Sequence, residues 1–296
     1  MNDSNPLKLL FIINPRSGNN NTDWKTNIEQ YFQQSSHTLE WLLLSDHTDE
    51  EEIKRHITGF KPDRVVAVGG DGTIKLAAEC LIHTDTPLGI IPAGSANGLA
   101  KELNIPADVT TALDVVVNGS TKTIHITKIN DQTCIHLSDI GFNAFVIKKF
   151  ETDAQRGMLG YVKAAWKVLW QQPMMRINMI VDGNHFNIRA AMIVIANATK
   201  YGSGACINPD GKLDDDVFEV VVVKKVSILE IFKMMVTHMP FDENKTEVFQ
   251  VKSLEIHSKR KAHFQMDGEY LGKVNVVKAT LVPAALQIIV PRKEPL

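Results

Sequence analysis

Val65-Val66-Ala67-Val68 runs directly into Gly69-Gly70-Asp71-Gly72-Thr73, and the join between these stretches decides the fold. Four apolar residues in a row, three of them β-branched, fit a strand buried on both faces better than a half-exposed one. The turn that follows sets three glycines around one carboxylate. Glycine lets backbone N–H groups approach phosphate oxygens closely, and the first turn of a following helix adds partial positive charge. Asp71 can then hold Mg²⁺ or orient a triphosphate. The competing reading is an ordinary tight turn. Neither a Walker A loop nor a GxGxxG fingerprint occurs here.

The flanking sequence repeats the same grammar. Lys8–Ile13, Leu39–Leu44, Arg64–Val68 and Pro87–Ile91 read as strands, and Trp24–Gln34, Thr48–Ile57, Ile74–Leu81 and Ala96–Leu103 read as helices between and after them. Alternation of this kind predicts βα units on a mostly parallel sheet, which binds ligands beyond the carboxyl ends of its strands. Two more turns occupy that position, Asn14-Pro15-Arg16-Ser17-Gly18 and Pro92-Ala93-Gly94-Ser95-Ala96-Asn97-Gly98. Their small residues, hydroxyls and amides can wrap phosphate and ribose, so together with the first turn they describe a nucleotide cleft. From about Thr121 the texture changes to short β-rich runs: Thr123–Ile129, Cys134–Ser138, Arg176–Val181, His185–Ala196, Val217–Val223, Val251–His257, Phe264–Met266 and Val274–Leu281. Antiparallel strands in a sandwich or barrel are expected there, interrupted by helices at Gly157–Gln171 and Ser227–Met239.

Composition removes several function classes. A length of 296 residues predicts two domains, and 44% hydrophobic against 22% charged residues describes a globular chain able to bury a core. A net charge of −2 offers no field for nucleic acid. Cys80, Cys134 and Cys206 form neither a disulfide framework nor a zinc site, and the ten histidines show no ligand spacing. A cytoplasmic protein is expected, without a signal peptide or a transmembrane segment. A lipid substrate would therefore have to be taken from a membrane surface, with the protein working peripherally at the inner face.

NPRSG, GGDGT, PLGIIPAGSANGLAKELNIP, SDIGFNA, DGKLDDDVFEV and QMDGE, in that order, make the chain resemble the diacylglycerol kinase catalytic-domain family, which includes sphingosine kinases and soluble bacterial lipid kinases. The resemblance implies an α/β N-terminal nucleotide-binding domain (residues 1–122, with 286–296 returning to it) and a larger β-rich, sandwich-like C-terminal domain (123–285). It implies an active site in the interdomain cleft, ATP and Mg²⁺ as cofactors, and a lipid hydroxyl as acceptor: diacylglycerol, a related glycerolipid or a sphingoid base. By matching position, Asn14, Ser17, Gly69, Gly70, Asp71, Gly72, Thr73, Gly94, Ser95 and Asn97 are the candidate contacts to ATP or its magnesium. Asp267 is the candidate general base, with Glu269 beside it, and Asp215 falls where bacterial members have an acidic residue associated with a magnesium site. The chain departs from many members in having Lys75 and Leu76 after GGDGT, and its Gly94-Ser95-Ala96-Asn97-Gly98 is closer to sphingosine-kinase-like sequences.

Several readings stay open at this level. Asp214-Asp215-Asp216 is either a metal site or a solvated acidic turn. Asp267-Gly268 is either catalytic or a hairpin corner, for which Asp-Gly is a strong signal. Trp166 and Trp170 lie on an apolar helical stripe that is either core or a membrane-facing surface. NAD kinases share GGDGT on a related plan, so phosphorylation of a soluble dinucleotide is the alternative activity, and a nucleotide sensor without catalysis is the non-enzymatic one.

Overall fold

The computed structural model describes residues 5–18, 22–45, 48–146, 174–199, 211–225, 242 and 244–292. The expected helices at Gly157–Gln171 and Ser227–Met239, with Trp166 and Trp170, lie outside the described residues. The chain divides into two compact units, Met1–Ile124 with Ala284–Leu296, and His125–Pro283.

The first unit is a parallel sheet assembled from β1 (Lys8–Ile13), β2 (Thr38–Leu43), β3 (Arg64–Gly69), β4 (Leu88–Pro92) and the end of β14 (Glu269–Val290), in the order β2-β1-β3-β4-β14. Residues 9–13, 65–69 and 88–92 are buried without alternation, because helices cover both faces. Helix α1 (Trp24–Phe32) and helix α5 (Val109–Asn118) pack Ile28, Phe32, Leu113 and Val116 against Leu9, Phe11 and Ile13. Helices α2 (Glu50–Phe60) and α3 (Asp71–Glu79) touch each other and strand β1, and the short helix α4 (Gly98–Glu102) follows the loop after β4. Aspartates start three of these helices: Asp23, Asp49 and Asp108 accept the N–H of Thr26, Glu52 and Thr111. Burial pushes the Cys80 thiol at the end of α3 up to about 12.

In the second unit the strands are the second half of β5 (Ser120–Ile129), β6 (Gln132–Cys134), β7 (Leu137–Gly141), β8 (Met175–Val181), β9 (Asn184–Ala190), β10 (Met192–Ala196), β11 (Phe218–Val223), β12 (Thr246–Val251), β13 (Ser253–Met266) and most of β14. Antiparallel pairing runs β12-β11-β10-β7-β13-β14. Strand β13 serves two neighbours. Its first half, Leu254–Ser258, pairs with β8, and its last residues, Phe264–Met266, pair with β7, with an irregularity between His257 and Ala262. The β8–β9 hairpin is thereby joined to the rest around one core that includes Ile140, Met179, Ile195, Phe218, Ile256 and Phe264.

The expected Val274–Leu281 is part of the longer β14, Val251–His257 and Phe264–Met266 belong to one strand β13, and β12 was not expected; three other limits depart because backbone groups are taken elsewhere. The run Cys134–Ser138 is broken between β6 and β7 because Ile135 and His136 donate their N–H groups to the Asp267 carboxylate. Strand β12 ends at Val251, and the N–H groups of Lys252 and Ser253 go to Asp182. His185–Ala196 is two strands: Ala191 donates to Val223 O while its own carbonyl accepts from Phe142 N. Helix α5 was not anticipated at all.

Candidate functional site

Strands β1, β3 and β4 are neighbours in one parallel sheet, so the three loops that follow them emerge side by side. Direct contacts lock them together. Asn14 N donates to Val68 O at 3.0 Å, its Nδ2 reaches Thr73 Oγ1 at 3.4 Å, and its Oδ1 accepts Arg16 N at 3.0 Å. Ser17 N donates to Asn14 O, and Ser17 O accepts the Trp24 indole N–H at 3.1 Å. Ala93 N donates to Gly69 O at 2.8 Å. Beyond that bond the backbones of the second and third loops nearly touch: a Cβ placed on Gly94 would lie 2.5 Å from Gly70 Cα. Only glycine permits this approach.

Gly70 caps α3 without a side chain, leaving the helix start to be satisfied by other groups, and Asp71 occupies its first turn. One Asp71 oxygen, Oδ1, accepts Leu99 N at 3.4 Å. Asn97 adopts φ 52° and closes its loop by exchanging two 2.8 Å bonds with Gly94 N and O. Thr73 is buried, whereas Gly72 and Ser95 are exposed. Thus Asn14, Ser17, Gly69, Gly70, Asp71, Thr73, Gly94 and Asn97 converge at one end of the sheet. A cradle of exposed and half-exposed small residues, lined by backbone N–H groups and one carboxylate, has the chemistry of a phosphate site.

In the second unit Met266 pairs with Glu269, so Asp267 and Gly268, at φ 50° and 89°, form a two-residue corner of the left-handed kind that Asp-Gly favours. The segment is therefore not extended, and Glu269 is exposed rather than sharing a strand face with Asp267. Asp267 Oδ1 accepts His136 N at 2.9 Å, Oδ2 accepts Ile135 N at 3.3 Å, and Asp267 N donates to Leu137 O. Beneath the corner is a cluster the sequence did not reveal: Asp139, Asn143 and Gln265, all buried. All three lie within the SDIGFNA and QMDGE stretches, but nothing in their residue types or spacing showed that they meet.

Asp215 stands just before β11, between the exposed Asp214 and Asp216, with its Oδ1 buried and without a hydrogen-bond partner. A second orphaned acceptor, Asn197 Oδ1, belongs to a residue whose Nδ2 donates to His125 O, while His125 N donates to Leu213 O. A buried carboxylate oxygen lacking a donor suits a hard cation, so Asp215 fits Mg²⁺ chemically. Among the described residues no three His, Cys, Asp or Glu side chains converge on a common point. The remaining ligands would thus be carbonyl or amide oxygens and water.

Residues 8–129 match the model of the diacylglycerol kinase catalytic domain, and residues 138–290 match that of the YegS C-terminal NAD kinase beta sandwich-like domain. The chain is similar to a diacylglycerol kinase of Staphylococcus aureus, 28% identical over 240 residues covering 78% of this chain and 75% of that one. An uncharacterised protein of Synechocystis sp. is 26% identical over 302 residues, covering 95% of this chain and 70% of the other. In structure it resembles a diacylglycerol kinase from Bacillus anthracis, with a TM-score of 0.74, 20% identity and coverage of 97% and 98%; that likeness speaks to fold alone. Because the two matched segments follow one another over nearly the whole chain, the protein belongs to the diacylglycerol kinase catalytic-domain family and has a kinase-type function.

Proposed function

We propose that the protein transfers the γ-phosphate of ATP to the hydroxyl of a membrane lipid, with diacylglycerol as the first candidate and a related glycerolipid or a sphingoid base next. The observation that supports it most is the close approach of Gly70 and Gly94, which brings two glycine loops and the α3 N-terminus to one point beside Asp71. Backbone N–H groups there hold the phosphates, Asn14 and Ser17 border them, and Ser95 and Asn97 close the opposite side. Mg²⁺ held by Asp71 would neutralise charge developing on the phosphates. Asp215 is the proposed second cation residue. Asp267 orients the lipid hydroxyl and accepts its proton on Oδ2 as the oxygen bonds to the γ-phosphorus; the bond from that phosphorus to the bridging oxygen breaks, and ADP leaves with the electron pair. No helix among the described residues is long and apolar enough to cross a membrane, which is compatible with a protein that visits lipid at a surface.

A second reading has its own support, since the model matched by residues 138–290 is described as NAD kinase-like. Labelled ATP offered with either diacylglycerol in phosphatidylglycerol vesicles or NAD separates the two. Transfer to the lipid is expected; transfer to NAD alone would overturn the lipid assignment. Asp71→Asn should lower transfer by roughly 10²–10³-fold while leaving the unfolding midpoint near wild type. Undiminished turnover at saturating ATP and Mg²⁺ would remove Asp71 from the site.

A further inference from the structure

The Asp267-Gly268 corner rests on a buried polar relay. Asp139 and Gln265 are both 0% exposed and lie opposite each other across the β7–β13 pair. Gln265 Nε2 donates to Asp139 Oδ2 at 2.5 Å, and the same oxygen accepts Asn143 Nδ2 at 2.6 Å. The other oxygen of Asp139 accepts Ala144 N at 2.8 Å, in the helical turn that follows β7. From its far end Gln265 Oε1 accepts Gly268 N at 2.9 Å. Ser138 Oγ donates to Gln265 O at 2.7 Å and holds the backbone of the same residue. One amide therefore spans from a buried carboxylate to the second residue of the corner.

That last bond fixes the peptide plane between Asp267 and Gly268, and with it the direction in which Asp267 presents its carboxylate. Left-handed corners of this kind form without such support. At Asp182-Gly183, which has φ 45° and 84°, no side-chain amide braces the glycine N–H among the described residues. The extra support at Asp267 is what a reacting carboxylate needs and a simple connection does not.

We infer that Gln265, anchored by Asp139, is a positioning residue for phosphoryl transfer, acting by setting the aim of Asp267. The inference rests on Asp267 being the base in the proposed reaction. A misaimed base slows the chemical step but leaves nucleotide binding alone, because Gln265 belongs to the second unit and the glycine loops to the first.

Gln265→Met keeps the approximate volume and removes both bonds; Gln265→Glu keeps the acceptor toward Gly268 and replaces the donor toward Asp139. Steady-state transfer from ATP to diacylglycerol in phosphatidylglycerol vesicles is measured for both, with amide exchange followed at Gly268. Gln265→Met should lose roughly 10- to 100-fold in kcat, with KM for ATP within about twofold. Its Gly268 amide should exchange about tenfold faster. Gln265→Glu should recover toward wild type as pH falls from about 8 to about 6, since a protonated carboxyl again donates to Asp139. Wild-type kcat in Gln265→Met, or equal losses in kcat and ATP affinity, overturns the role. If Gln265→Met does not fold, the recovery of Gln265→Glu decides, and a flat pH profile relative to wild type overturns it. Wild-type protein that turns over no lipid sinks the proposed reaction and this role with it, while faster Gly268 exchange in Gln265→Met would still identify the prop. Normal turnover in Asp267→Asn removes only the base, and with it the reason for aiming.

Discussion

Among the described residues of the second unit, an Asp-Gly pair makes a left-handed corner in two places, at Asp182-Gly183 and at Asp267-Gly268, with different surroundings. Asp182 turns its carboxylate onto the N–H groups of Lys252 and Ser253, and nothing more is required of it than stitching two strands. Asp267 makes the same kind of stitch to Ile135 and His136 and is also braced through Gln265. Local pattern reads both as Asp-Gly turns and only the family resemblance singles out Asp267; the brace itself comes from nearby Gln265, but its anchor, Asp139, lies more than 120 positions away along the chain. Asp267→Asn tests what the second corner adds. It preserves shape and one acceptor, so kcat should fall by roughly the 10²–10⁴ typical of losing a general base while ATP affinity holds; near-normal kcat would make the carboxylate a stitch only. Gly94→Ala probes the other half of the site. Its Cβ would meet Gly70 Cα at 2.5 Å and Asn97 Oδ1 at 2.8 Å, so backbone has to move. The expected result is an ATP KM raised by at least about tenfold, with a stability loss of about 1–3 kcal/mol from overpacking. Unchanged ATP binding would mean that the two loops do not form one cradle.

Among elements, those with a strong local period were readable: β1 runs over the six residues Lys8–Ile13 that the apolar pattern marks. Helix α5 shows what was missed. Its start is signalled by Asp108, and its buried face by Ala112, Leu113, Val115 and Val116. The opposite side carries the exposed Thr110, Thr111, Asp114 and Asn118, but the run Val115-Val116-Val117 is β-branched and favours strand locally, so the helix is decided by its packing between α1 and the sheet. The β6–β7 break was illegible for a related reason, since a distant carboxylate rather than local sequence ends the strand. The Asp108 cap makes a pH-dependent prediction. Hydrogen bonds from the backbone and hydroxyl of Thr111 hold the Asp108 carboxyl below its ordinary value of 3.8. A carboxylate with a depressed folded value stabilises above the unfolded value and loses that contribution as pH falls through the folded one. Asp108→Ala should therefore unfold at lower urea than wild type at pH 7, and the two midpoints should converge below about pH 3. A constant gap across that range would assign the loss to something other than the charge.

For the whole molecule, the decisive feature is that the first unit is not one continuous piece of chain: the end of β14 lies beside β4, where Ile288 pairs with Leu88. Leu286, Ile288 and Ile289 are at most 1% exposed. At about 1.5–3 kcal/mol for each buried side chain of this size, their loss approaches the 5–15 kcal/mol that holds an ordinary domain together. Deleting residues 284–296 should therefore abolish cooperative unfolding of the first unit and produce aggregates visible by light scattering; a soluble, cooperatively folding truncation would show that β4 tolerates an open edge. The same arrangement sets a timetable at the ribosome. Residues 1–124 emerge first, yet the strand that completes their sheet follows the whole of 125–283. At about 5–20 residues per second, the nascent first unit waits on the order of ten to thirty seconds with the buried edge of β4 uncovered. Through that interval it is a client for whatever shields exposed strands in the cell, and the second unit, continuous in sequence, is the part able to finish folding first.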